Sequence, residues 1–134
     1  MHDRPDASEL IDAARGFLET EVIPALGDAR LRFHALVAAN VLSIALRQLR
    51  GEEANLVEEW RLLSSLLGEA GEMPCGCAQM RDGVRALNER LCAAIRAGEF
   101  DGERFDEAAE VVRLLVVRKL EVANPRYLEA DAHR

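Results

Sequence analysis

The chain has 134 residues, of which 49% are hydrophobic and 31% charged, a balance typical of one soluble globular domain with a core of its own. Its formal net charge of −7 repels phosphate backbones and anionic lipid surfaces, which argues against binding to nucleic acid or to a membrane. Three cysteines make a poor disulfide framework and indicate a reducing compartment. We therefore expect a cytoplasmic protein.

The first predicted helix begins with a variant of the capping box. Asp6 is followed three residues later by Glu9, and apolar residues then recur at helical spacing. This pattern predicts a helix from about Ala7 to Ile23. Pro24 and the turn residues Gly27-Asp28 predict that the chain then reverses into a second helix.

The segment from Leu31 to Arg50 is the most apolar part of the chain. Between Leu36 and Leu46 the only polar residues are Asn40 and Ser43, which is typical of a helix buried on nearly all sides. We therefore predict a buried central helix at about residues 29–50, ended by Gly51. Its apolar run of about 11 residues is shorter than the roughly 20 that cross a bilayer.

The third predicted helix covers about Glu52–Leu67 and has more apolar surface than one neighbour needs. Leu62 and Leu66 extend its apolar arc beyond a single stripe, and Trp60 is suited to burial or to a subunit contact. Because twofold dimers are the commonest assemblies of soluble proteins, this pattern predicts a homodimer through Leu62 and Leu66.

Two further helices complete the prediction, at about Cys77–Ala97 and Glu103–Ala123. The residues predicted to face inward from the fourth helix are Met80, Val84, Leu87, Leu91 and Ile95. Those predicted to face inward from the fifth are Phe105, Ala109, Val112, Leu115, Val116 and Leu120. The fold class is all-α, a bundle of about five helices in a single domain of residues 1–134, with a short tail from Glu129 that frays.

Candidate ligand-binding residues lie in the central helix and in helix three. His34 falls on an apolar side, where a buried imidazole serves either as a base or ligand, or as a core residue with one hydrogen bond. Asn40 and Arg47 share a polar seam, which is either an internal polar network or an anion site. Trp60 is a candidate wall for a pocket near them.

A second candidate region is the segment from Arg118 to Leu128, which is basic in an otherwise acidic chain. Cations at a helix C-terminus complement its dipole, which accounts for the first basic residues without any function. Asn124, Arg126 and Tyr127 lie beyond the predicted helix and are candidates for contact with a partner.

The cysteines suggest a zinc site only weakly. Structural zinc sites combine Cys-x2-4-Cys with a second ligand pair, whereas Cys75 and Cys77 are one residue apart and Cys92 is distant. The sequence therefore predicts free thiols in a loop, with redox sensing as an alternative, and neither a metal nor another cofactor.

Three segments together resemble a family of small bacterial proteins described as a domain of unknown function. They are RPDASELIDAARGFLETEVIP, RFHALVAANVLSIALRQLRG and KLEVANPRYL, which span nearly the whole chain. Members of that family are encountered beside acyl-CoA dehydrogenases and aminoglycoside-phosphotransferase-like kinases. The resemblance implies an accessory role in acyl-CoA or hydroxy-acid breakdown, with such an enzyme as a partner.

These patterns favour a non-catalytic accessory or interaction protein, because nearly all residues are assigned to the core or to solvated faces. The alternative is a helical module that binds an apolar or acyl group near His34, Asn40 and Arg47. An enzyme is the least favoured class, since the sequence brings no nucleophile, base and oxyanion donors together.

Overall fold

The computed structural model describes residues 4–131, and within that range it contains helices and no strand. The helices are α1 (Ala7–Phe17), α2 (Ile23–Ala25), α3 (Ala29–Leu67), α4 (Cys77–Arg96), α5 (Phe105–Ala123) and α6 (Pro125–Asp131). A π-helical segment, Leu18–Val22, joins α1 to α2, and a 3-10 turn, Gly102–Arg104, precedes α5. The predicted all-α class is confirmed.

The start of α1 is the predicted capping box. The Asp6 carboxylate accepts a hydrogen bond from the Glu9 backbone N–H at 2.8 Å, and the Glu9 carboxylate accepts one from the Asp6 N–H at 2.9 Å. The bond from the Glu9 N–H, with a further one from Ser8, lowers the pKa of Asp6. The helical path continues through Pro24 to Ala25, two residues beyond the predicted end.

The predicted break at Gly51 is wrong, because α3 is one continuous helix of 39 residues. It begins at the Asp28 carboxylate, which accepts the Leu31 N–H at 2.9 Å. A single helical glycine costs about 1 kcal/mol relative to alanine, which the surrounding helix-forming residues offset. The helix ends where Gly68 adopts φ = 68° and the Glu69 N–H bonds back to the Ser64 carbonyl at 2.9 Å.

The chain, predicted to form a single domain of residues 1–134, divides into two compact units. Unit 1 is Met1–Gly51 and unit 2 is Glu52–Arg134. Because α3 contributes to both units, the single-domain prediction requires that they melt together. We expect one thermal transition, with the same midpoint by circular dichroism and by fluorescence of the single tryptophan, Trp60, which lies in unit 2. Two separate midpoints would show that the units unfold independently.

In unit 1, the predicted burial of the central helix is not found. Over residues 4–51 the buried hydrophobic side chains are Ala39 and Leu46. The large apolar side chains that expose 46–63% of their surface are Leu10, Phe17, Leu31, Phe33, Leu36, Val37, Val41 and Leu49. The apolar composition of this helix predicted burial, but the other helices of unit 1 are too few to cover all of its sides.

Unit 2 has a well-packed core between the second half of α3, α4 and α5. Its buried residues are Leu63, Leu66, Met80, Val84, Leu87, Leu91, Ala94, Phe100, Ala108 and Leu115. Leu66 is only 2% exposed, and Leu62 is half-buried against the same core. Leu66 is therefore already covered within unit 2 and Leu62 is partly covered, and the predicted homodimer through these two leucines stays a prediction.

The inward-facing residues of α4 were predicted more accurately than those of α5. Four of the five predicted α4 residues are buried, whereas Ile95 is exposed. In α5, Leu115 is buried as predicted, but Ala108 is buried in place of Ala109, and the exposed residues are Phe105, Ala109, Val112 and Val116. The run VVRLLVV is apolar on several sides, so its sequence does not indicate which side faces the core.

Trp60 packs against α4 at Gly83. A Cβ atom added at Gly83 meets the Trp60 indole carbon Cζ3 at 2.5 Å and the Pro74 ring at 3.3 Å. We expect Gly83→Ala to destabilise the protein by about 1–3 kcal/mol, because a rigid ring has little room to move. Urea unfolding measures the change. Gly16→Ala, in α1 with no atom within 4 Å of the added Cβ, is the matched control and should be neutral or stabilising. Equal effects of the two substitutions would contradict this packing.

Candidate functional site

The residues predicted to bind a ligand are not gathered around a cavity. His34 and Asn40 are exposed on α3 in unit 1, and Arg47 is half-buried on the same helix. Trp60 is half-buried at the edge of the unit 2 core. Their use in binding stays a prediction.

The other predicted contact residues lie at the junction of α5 and α6. Asn124 ends α5, and its carbonyl accepts the Tyr127 N–H at 3.1 Å. Pro125 occupies the first position of α6, where a missing N–H costs nothing. Arg126 and Tyr127 are exposed in α6. This helix continues to Asp131 and so includes the first residues of the tail, from Glu129, that was predicted to fray. Residues 132–134 of that tail lie outside the described residues.

An exposed apolar stripe runs along α3 in unit 1. Phe33, Val37 and Val41 follow one another at four-residue spacing, which places them on one side of the helix. Ala39 and Leu46 lie on the opposite, buried side. We call Phe33, Val37 and Val41 the α3 stripe. Asn40 lies beside it, and His34 lies on its flank.

Helix α1 has a shorter exposed stripe. Leu10 and Phe17 are seven residues apart, hence on the same side of the helix, and each exposes 57% of its surface. We call this pair the α1 stripe. Both helices of unit 1 therefore present large apolar side chains that the unit itself leaves uncovered.

An ion pair joins α1 to α3 in unit 1. The Asp12 carboxylate accepts hydrogen bonds from Arg15 at 2.7 Å and from Arg50 of α3 at 3.2 Å. These bonds, that from Arg15 first, lower the pKa of Asp12 from 3.8. The buried side of α3, where Leu46 precedes Arg50 by one turn, thus faces α1.

This pair predicts a pH dependence of stability. Because the folded-state pKa of Asp12 is depressed, its contribution is present above pH 3.8 and is lost as the pH falls through the lower folded value. We expect Asp12→Asn to lower the urea midpoint at pH 7, by a small amount because the pair is solvent-screened. The difference from wild type should disappear at a pH below the lowered folded-state pKa of Asp12, where the carboxyl group is protonated. A difference that persists there would contradict a charge-dependent effect.

The segment that contains α1 and the part of α3 in unit 1 differ in charge. From Asp6 to Glu21 the acidic residues are Asp6, Glu9, Asp12, Glu19 and Glu21, against the single basic residue Arg15. From Ala29 to Gly51 the basic residues are Arg30, Arg32, Arg47 and Arg50, with no acidic residue. The acidic α1 segment is therefore electrostatically complementary to the basic part of α3. Two copies of the same segment repel each other.

Unit 2 contains a half-open cavity of about 340 Å³ between α3, the loop that follows it and the start of α4. Its lining residues are Glu53, Leu56, Val57, Met73, Pro74, Cys75, Gly76, Cys77 and Met80. Sequence reasoning noted the cysteine pair but missed Met73 and Met80, although the pattern MPCGCAQM carries all four sulfur atoms.

The geometry of the cysteines differs from that of a zinc site. Cys75 and Cys77 line the cavity, whereas Cys92 is exposed elsewhere on α4. Within residues 4–131, no group of three or more His, Cys, Asp or Glu side chains is arranged to hold a metal ion. A tetrahedral site built from those residue types has too few ligands here.

One helix in the described part of the chain, α3, is long and apolar enough by length and composition to cross a membrane. Only 11% of its most apolar stretch is buried. Core helices of soluble proteins reach the same length and apolar composition.

Comparison with known proteins gives a family and no function. The family model described as domain of unknown function DUF6285 matches residues 24–127. No curated protein and no solved structure matches the chain. The matched range includes α3, α4, α5 and the sulfur-lined cavity, and it starts just before the turn into α3. The chain therefore belongs to the DUF6285 family.

Proposed function

We propose that this protein is a non-catalytic accessory protein that works as a homodimer, joined through unit 1. The observation that carries the proposal is the set of eight half-exposed large apolar side chains in unit 1, beside only two buried hydrophobic ones, Ala39 and Leu46, over residues 4–51. Soluble proteins rarely leave large apolar patches uncovered unless the patch binds something, and the α3 stripe is such a patch.

A second copy of unit 1 is the occupant that fits best. In a twofold arrangement, the α3 stripe of one copy packs on the α1 stripe of the other, and the four helices alternate in a bundle. The basic α3 then lies between two acidic α1 helices, which is the complementary arrangement.

Asn40 has a role in this interface. It lies beside the α3 stripe and is the only uncharged polar residue between Ala35 and Leu42. An asparagine within an apolar helix contact fixes register and oligomeric state, because other alignments leave its amide without a partner. This reading gives Asn40 a structural task in the dimer, in place of the ligand-binding task expected from the sequence.

The family resemblance supports a cytoplasmic accessory task in acyl-CoA or hydroxy-acid breakdown. The partner in that proposal is an acyl-CoA dehydrogenase or a kinase-like enzyme, bound by a surface that the dimer leaves open. Arg126 and Tyr127, exposed in α6 outside unit 1, are available for such a contact. A purified acyl-CoA dehydrogenase from the same organism should co-migrate with the protein in gel filtration, and Tyr127→Ala should weaken that co-migration.

The dimer itself is tested by sedimentation velocity of the purified protein. The proposal requires a dimer at micromolar concentration, with a dissociation constant that rises when the apolar stripes are mutated. A species that stays monomeric at about 100 μM, a concentration at which a specific interface is populated, would contradict it.

The alternative, a small-ligand module, is favoured by one observation, the 340 Å³ cavity in unit 2. Its walls are mostly apolar, as in ligand pockets generally, but they do not include His34, Asn40 or Arg47. What distinguishes this cavity chemically is the number of sulfur atoms on its wall.

A further inference from the structure

Four sulfur-containing side chains line the unit 2 cavity together. Met73, Cys75, Cys77 and Met80 lie within eight consecutive residues, and all four are on the cavity wall. The chain has three cysteines and three methionines in total, so most of its sulfur is concentrated here. The one charged side chain on the same wall is Glu53.

The backbone at Gly76 accounts for the placement of the two thiols. Gly76 adopts φ = 92° and ψ = 146°, a conformation that disfavours any residue with a side chain, immediately before the first residue of α4. This turn sets Cys75 on the loop and Cys77 in the first turn of the helix, on the same cavity. A Cβ at Gly76 also meets the Gln79 side-chain oxygen at 2.9 Å.

The two methionines on the cavity wall differ in how deeply they are buried. Met80 lies one helical turn after Cys77, hence on the same side of α4, and is 6% exposed at the base of the cavity. Met73 lies on the loop at the rim and is more exposed. The cavity wall therefore carries one buried and one accessible thioether beside the two thiols.

Thiolate and thioether groups are soft ligands that select soft cations. Thiolates and thioethers together suit Cu(I), whereas Mg²⁺, Ca²⁺ and Mn²⁺ prefer oxygen ligands, and a structural zinc site requires four nitrogen or sulfur ligands of the thiolate and imidazole type. We propose that the Met73, Cys75, Cys77 and Met80 cavity binds one Cu(I) ion, with the two thiolates as principal ligands and the thioethers as supporting ones. This site is independent of the dimer proposed above.

The charge and proton balance of binding is simple. Cu(I) replaces the two thiol protons, which are released to solvent, and the resulting bis-thiolate complex has a net charge of −1. No electron is transferred, since copper enters as Cu(I). Arg81 lies one turn after Cys77, held by Glu52 at 2.7 Å, and provides the nearby positive charge. The hydrogen bond to Glu52 raises the pKa of Arg81.

Anaerobic titration with Cu(I), in competition with a chromogenic Cu(I) chelator, tests the site. We expect one Cu(I) bound per chain, with a thiolate-to-copper absorption band in the ultraviolet. Cys75→Ser/Cys77→Ser should abolish binding, and Met73→Leu/Met80→Leu should weaken it on the order of tenfold. Cys92→Ser, which removes a thiol away from the cavity, is the matched control and should bind as wild type does.

Any one of the following results would overturn the proposal. They are Cu(I) binding that survives loss of both cavity cysteines, binding that is lost equally in Cys92→Ser, and tighter stoichiometric binding of Zn²⁺ than of Cu(I). Leucine is close in volume to methionine, so the methionine variant should stay folded by circular dichroism. If Met80→Leu alone unfolds the protein, Met73→Leu is used in its place, because Met73 is not one of the buried core residues. Unchanged Cu(I) affinity of that variant would restrict the ligands to the thiols and contradict the four-sulfur site.

Discussion

Leu63→Asp is expected to unfold unit 2. The Leu63 side chain is 0% exposed and lies between α4 and α5 in the largest group of buried side chains of the described residues. No basic side chain is buried with it, so an aspartate there is either an unpaired charge or a protonated acid in an apolar site. Its cost of several kcal/mol is comparable to the 5–15 kcal/mol total stability of a typical domain.

Circular dichroism at 222 nm and urea unfolding measure this effect. The milder change Leu63→Ala should leave the fold intact and cost about 2–5 kcal/mol, the usual range for a cavity left by a buried leucine. Ile95→Asp is the matched control, because Ile95 is 46% exposed on the outer side of α4. It should keep wild-type helicity. If both aspartate variants are equally folded, the core of unit 2 is assigned wrongly.

The exposure of Ile95 was not predicted from the sequence. Periodicity predicted Ile95 to face inward with Leu91, and both residues are indeed on nearby parts of the helix circumference. Burial also depends on where α4 ends relative to α5, since Ile95 lies in the last turn before Gly98. The position of the α4 end relative to α5 is set by tertiary packing, and a local apolar pattern does not reveal it.

Helix ends were predicted well because their signals are local. The capping box at Asp6, the turn at Gly27-Asp28 and the stop at Asn124 each depend on residues within one helical turn. Gly51 was misread for the opposite reason. Glycine ends a helix only when it adopts a left-handed conformation, as Gly68 does, and the sequence alone does not distinguish the two glycines.

The candidate sites were predicted in part. Cys75 and Cys77 were recognised as a pair. That they line the same cavity as Met80 depends on where α4 starts and on the positive φ of Gly76, which the sequence does not show. The exposure of the α3 stripe was not predicted, since an apolar helix in a chain of this length is usually a core helix. Its exposure follows from the two units: unit 1 has one long helix and too few others to cover it.

The second prediction with a large effect concerns the dimer. Phe33→Glu/Val37→Glu is expected to give a folded monomer, because both side chains are exposed within the single chain and would be buried only in the proposed dimer. Each copy loses the burial of a phenylalanine and a valine, roughly 1.5–3 kcal/mol apiece, and brings two carboxylates against the acidic α1 of its partner. Since both copies lose these contacts, the dissociation constant should rise by more than about a thousandfold.

A matched control lies on α5. Val112 and Val116 form an exposed apolar pair in unit 2 with the same spacing as Phe33 and Val37. Val112→Glu/Val116→Glu introduces the same charge and removes similar apolar surface, but outside the proposed interface. This variant should remain a dimer, and unchanged helicity in both variants shows that neither effect is a loss of folding.

Sedimentation velocity of the wild type, the α3 variant and the α5 variant, over about 1–100 μM protein, is the most direct test of the proposed function. We predict a wild-type dimer, a monomeric Phe33→Glu/Val37→Glu protein and a dimeric Val112→Glu/Val116→Glu protein. A wild type that is monomeric and floats with lipid vesicles would assign the apolar stripe to a membrane. A dimer that is dissociated by the α5 variant and not by the α3 variant would contradict the interface on unit 1.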